Sequence, residues 1–168
     1  MPQPSTTNDL FDLAVTMEKS AEDLYRRFAR MFSSEPDVAK FWSRFADEER
    51  GHANYLERVR GTLPSEVLAA PGDAAMLEAA QRGLANSVDS IVNHVKNLDD
   101  AYQIAVELEN AETNAVFDFI LVNFPTEELA KSQAFLRVQL GRHVAAIENE
   151  LPARFKSTML RREILVVA

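Results

Sequence analysis

The chain has 168 residues, no cysteine and a net charge of -8, from 18 Lys and Arg against 26 Asp and Glu. The missing cysteine excludes disulfides, Cys-ligated zinc and iron–sulfur clusters. The acid surplus argues against a broad basic surface, so neither nucleic acid nor a membrane is an expected partner.

Taken in chain order, proline and glycine punctuate long helix-patterned stretches. Pro2 and Pro4 mark a loose start, and a first helix is expected over roughly 8–32. Pro36 suits a first helical position, with Ser34 as its cap, and opens a second helix over 36–61. Gly61, Pro64, Pro71 and Gly72 bracket a loop within a connecting segment, 62–98, whose part from 73 to 97 is itself compatible with helix. A third helix is expected over 99–124, ended by Pro125, and a fourth over 126–150, ended by Pro152 and followed by a tail or short helix over 152–168. Each long helix would span roughly 37 Å. Strand alternation and hairpin turns are absent from the pattern. Short turns join the first and second helices and the third and fourth, while a long segment joins the middle pair. That is the pattern of an all-α, ferritin-like four-helix bundle with a long crossover, here a single domain over 1–168.

The inward stripes of these helices carry unexpected charge. They read Ala14, Glu18, Ala21, Tyr25; then Phe41, Phe45, Glu49, His52, Leu56; then Tyr102, Ala105, Glu109, Glu112, Val116; then Leu136, Leu140, His143, Ile147. A carboxylate among apolar neighbours either neutralises or costs several kcal/mol unless something compensates it. A shared divalent cation would account for such a convergence. Glu49-Arg50-Gly51-His52 is a Glu-x-x-His unit, which places both side chains on one helix face. Glu18 precedes His52 by 34 residues and Glu109 precedes His143 by 34, so both pairs are offset by 91. The same offset carries Glu49 onto Leu140, where a bridging carboxylate is missing; Gln139 and Glu107 are the neighbours able to lean into that gap. Gly51 and Gly141 each adjoin a His, and close helix approach is the expected compensation for glycine in mid-helix.

These residues resemble the ferritin-like domain of the rubrerythrin family. Met17-Glu18-Lys19-Ser20-Ala21-Glu22-Asp23-Leu24-Tyr25 is similar to its first helix, with a Tyr seven residues after the Glu. Phe41-Trp42 and Asp47-Glu48-Glu49-Arg50-Gly51-His52-Ala53 are similar to its second, and Glu112 occupies the family's additional carboxylate slot after Glu109. The resemblance covers the four bundle helices and is weakest in the fourth. It implies a metal site of Glu18, Glu49, His52, Glu109, Glu112 and His143, holding two iron ions, with manganese or zinc as alternatives. Glu49 would bridge, Glu18 and Glu109 would be terminal or bridging ligands, and the histidines would be nitrogen donors. Four carboxylates balance two divalent ions despite Leu140. Tyr25 is a candidate to hydrogen-bond a ligand Glu. The implied activity is a non-haem di-iron redox reaction on peroxide or oxygen. Full rubrerythrins carry a Cys-x-x-Cys electron relay; without cysteine, this chain would need a separate electron donor.

Two other readings stand beside the redox one. In the first, a degenerate site holds a single zinc, iron or manganese ion without turnover. In the second, the chain is a structural helical homodimer in which Glu18 and Glu109 pair with arginines and the histidines are satisfied core residues. A homodimer is expected in any case, with Ile164-Leu165-Val166-Val167 covering a partner chain. His94 has no carboxylate at helical spacing and is read as non-functional. The N-terminus lacks a leader pattern, so a cytoplasmic location is expected.

Overall fold

The computed structural model describes residues 5–150, and within them the side chains of Glu112, Glu128, Leu140, His143, Val144 and Glu148 lie outside the description. The expected tail over 152–168, including Ile164 to Val167, also lies outside it. The regular structure described is helical, apart from one antiparallel bridge between Thr6 and Pro71. It is an all-α bundle of the ferritin-like kind.

Helix α1 spans Thr7–Met31 and begins with a capping box. The Thr6 hydroxyl accepts from the Asp9 amide at 3.2 Å, and the Thr6 amide donates to the Asp9 carboxylate at 2.7 Å. Such a cap is worth about 1 kcal/mol. Helix α2 spans Pro36–Thr62, with Pro36 in its first turn. Its cap position is Glu35 rather than Ser34, and the Glu35 side chain does not make the capping bond. Proline lacks one of the four amide donors that a helix start leaves open, and the Asp37 carboxylate accepts from the Val38 amide at 3.0 Å.

The crossover is built of three short helices: α3 Ser65–Ala69, α4 Ala74–Gly83 and α5 Val88–Asn93. α4 lies against α1 and against the second half of the third bundle helix. That third helix, expected as one piece, is two. α6 spans Leu98–Glu109 and α7 spans Glu112–Asn123, with Asn110 and Ala111 between them. Asn110, Thr113 and Asn114 are all poor helix formers, and the Asn114 side chain takes a backbone carbonyl, that of Glu109, at 2.6 Å. The fourth helix starts late. Thr126 caps a single 3-10 turn, Glu127–Leu129, through a 3.2 Å bond from the Leu129 amide, and α8 runs over Ala130–Glu150.

The core falls into two apolar clusters. One gathers Leu10, Phe11, Val15, Leu56, Val59, Phe117, Ile120 and Leu136. The other gathers Leu24, Tyr25, Phe28, Phe41, Trp42, Phe45, Ala105 and Ile147. In the second, Trp42 stacks on Tyr25 with centroids 5.7 Å apart and meets Phe28 edge-on at 5.1 Å. Along α1, Glu18 separates Val15 of the first cluster from Ala21 of the second; along α2, Glu49 and His52 separate Ala46 of the second from Leu56 of the first. A polar layer thus crosses the middle of the bundle.

Candidate metal centre

Three of the six expected ligands meet in that layer. Glu18 from α1 and Glu49 and His52 from α2 offer ligand atoms that all lie within 4.8 Å of one another. Their exposures are 1%, 2% and 0%. α2 supplies two of them because Glu49 and His52 are three residues apart, less than one helical turn. His52 Nδ1 lies 3.1 Å from a Glu49 oxygen and 3.4 Å from Glu18 Oε2. One ring N–H cannot serve both carboxylates well, and Glu18 Oε2 is buried without a hydrogen bond. The ring of His52 rests against Phe117, centroids 4.8 Å apart, and its Nε2 lies 3.1 Å from the side-chain oxygen of Gln139 on α8.

Glu109 is buried nearby, at the last residue of α6. The Tyr25 hydroxyl donates to one of its oxygens at 2.5 Å, and the Asn114 amide donates to the other at 3.1 Å. Tyr25 therefore holds a candidate ligand, as its position in the sequence suggests. Asn114 was not singled out by the sequence, and its signal is weak: a short polar side chain five residues after the carboxylate. Glu112 and His143 have described backbones, in α7 and α8, but their side chains lie outside the described residues. Glu107 does not lean into the gap at Leu140; it is exposed and accepts from Gln103 at 2.9 Å. His94 is exposed, with Nδ1 2.7 Å from the Ser90 carbonyl.

The expected close approach at Gly51 and Gly141 is not found among the described residues: nothing lies within 4 Å of where a Cβ would stand at either. Gly51 instead borders an open groove of about 460 Å³ between α2 and α8, shared with Tyr55, Arg58 and Phe135.

Arginine ion pairs lie toward the surface, as with Arg26 and Asp47 at 2.7 Å or Arg50 and Glu22 at 2.8 Å. Burial, reinforced by the neighbouring Glu49 and opposed by His52, holds the Glu18 carboxyl well above the usual range. Burial works against protonation of His52, but the neighbouring carboxylates of Glu18 and Glu49 outweigh it and push its pKa up to about 11. Both shifts have one meaning: the metal-free cluster holds protons more tightly than water would. Burial and the charge of Glu109 likewise raise the Tyr25 hydroxyl well above its ordinary value, so it stays a donor.

Two carboxylates and an imidazole, buried together with one oxygen left without a donor, are a donor set that fits iron, manganese or zinc. The rubrerythrin family model matches residues 9–119. The chain belongs to the rubrerythrin family. The match takes in α1, α2 and most of α7 and stops before α8. Comparisons with curated proteins and with solved structures give no match.

Proposed function

We propose that this chain is an iron-binding redox protein of the bundle core, holding two ions and acting on peroxide or oxygen with electrons from a separate donor. The observation that carries the reading is the buried Glu18, Glu49 and His52 cluster, with Glu18 Oε2 unbonded. Family membership supports iron over zinc or manganese. Glu109, Glu112 and His143 would complete the set.

When bound, iron would supply the electron-transfer chemistry by which peroxide or oxygen is reduced. The chain's own residues do the rest. Glu18, Glu49 and His52 would hold the ion, and Glu18 and His52, which keep their protons tightly without it, would have to release them to do so. Tyr25 and Asn114 fix both oxygens of Glu109, which sets how that carboxylate faces the layer. The flanking aromatic cluster keeps bulk water from one side. Anaerobic reconstitution with ferrous iron tests the proposal. About two irons per chain and a ferrous-to-ferric optical change with peroxide are expected; less than one metal per chain with no optical change would sink it.

Leu140 in a ligand slot favours a second reading, a one-ion holding module without turnover. Leu140→Glu separates the two. Activity that appears only in that variant supports the module, and activity already present and unchanged removes it. We also propose a cytoplasmic homodimer. No described helix is long and apolar enough to cross a membrane. Sedimentation of a chain truncated before Ile164 should show a weakened dimer, and an unchanged dimer would remove the tail's role.

A further inference from the structure

We infer that Gln139 is the positioning residue for His52, holding a proton on Nε2 so that Nδ1 is left as the donor nitrogen. The inference rests on the metal-binding reading for its consequence, though not for its geometry. The two ring nitrogens face different partners. Nδ1 faces the carboxylates, 3.1 Å from Glu49 and 3.4 Å from Glu18, so it is the nitrogen that belongs to the candidate donor set. Nε2 faces the Gln139 side-chain oxygen at 3.1 Å. An imidazole that gives the lone pair of one nitrogen to a cation must keep its proton on the other, and a hydrogen-bond acceptor there fixes both the tautomer and the ring orientation.

The position of Gln139 explains why it takes this part. It adjoins Leu140, about 100° round the helix from the slot that the 91-residue offset assigns to a ligand. A glutamine there cannot bridge ions, but its oxygen reaches across to α2. Gln139 also lines a cleft of about 230 Å³ between α2 and α8, with Arg44, Glu48 and Arg142. It stands between that cleft and the buried ring of His52. Its amide oxygen thus accepts from the ring at the border of that cleft.

The test compares the full-length protein with Gln139→Leu, which removes the acceptor, and Gln139→Glu, which keeps one. Zinc affinity is read by competition with a chelating dye, and ¹⁵N-resolved imidazole spectra are recorded with and without zinc. Gln139→Leu should weaken zinc binding roughly 10- to 100-fold, and Gln139→Glu should bind at least as tightly as the parent. Zinc-loaded parent protein should carry its His52 proton on Nε2. In the metal-free protein, that proton should exchange slowly, and Gln139→Leu should lose the protection. Parent-like zinc affinity and exchange in Gln139→Leu would overturn the inference, as would a zinc-loaded His52 protonated on Nδ1. Zinc binding absent from the parent itself would defeat the metal reading, while the metal-free exchange still decides whether Gln139 holds the ring.

Discussion

Glu18 is the most exposed to test of the single residues, because its carboxylate serves the fold badly and a cation well. It is buried, its Oε2 lacks a hydrogen bond, and Glu49 lies beside it. Glu18→Gln keeps the shape and removes the charge. The metal-free variant should therefore be more stable than the parent by about 1 kcal/mol, while metal affinity falls at least tenfold; calorimetry with and without metal reads both. A less stable metal-free variant would mean that the carboxylate is a structural partner instead. The sign of the pH dependence follows from the same residues. Glu18 and His52 both hold protons more tightly folded than unfolded, so folding without metal takes protons up. Their contribution is complete below their ordinary values of 4.5 and 6.5 and is lost as pH rises, for His52 through about 11. Melting temperatures of metal-free protein should decline between pH 6 and pH 9, and Glu18→Gln should flatten the decline. Metal binding expels those protons, so metal affinity should run the other way and rise with pH. Tyr25→Phe removes the buried hydroxyl that donates to Glu109 and should cost about 1–3 kcal/mol, measured by urea unfolding.

At the scale of elements, the informative features are where helices stop and which glycines are crowded. Gly51 is helical, with open space where a Cβ would stand among the described residues. Gly51→Ala should therefore stabilise by about 0.4–1 kcal/mol. Gly72 is the opposite case. A Cβ there would stand 2.7 Å from the Thr6 carbonyl oxygen, beside the bridge that ties the crossover to the start of α1. Gly72→Ala must shift backbone and should lower the melting temperature; the two variants, melted side by side, give opposite signs. The same scale shows what the sequence could carry. The Glu-x-x-His unit and the 91-residue offset are fixed by helical period, so they point directly at the polar layer. The break after Glu109 is not legible in this way. The propensity differences among Asn110, Thr113 and Asn114 are fractions of a kcal/mol, too small to tell a broken helix from a continuous one. Gln139 was visible as a neighbour of the gap, but periodicity cannot say that its oxygen would meet His52 rather than replace a ligand.

For the molecule as a whole, the helical architecture and the crossover follow from stripe spacing and loop length, whereas the lateness of α8 depends on a local turn capped by Thr126. The larger consequence lies in the polar layer between the two apolar clusters. Cooperative unfolding needs neighbouring regions to stabilise one another, and a seam of buried charge couples them poorly. Without a cation, the halves flanking that seam should open with separate free energies. Hydrogen exchange should then divide the amides around Leu56 and Phe117 from those around Phe28 and Trp42. A cation bound by α1 and α2 at the seam should bring the two sets onto one shared value and sharpen the thermal transition. In mechanical terms the ion would act as a rivet through the middle of the bundle, and its loss would be read first as a protein that comes apart in two stages.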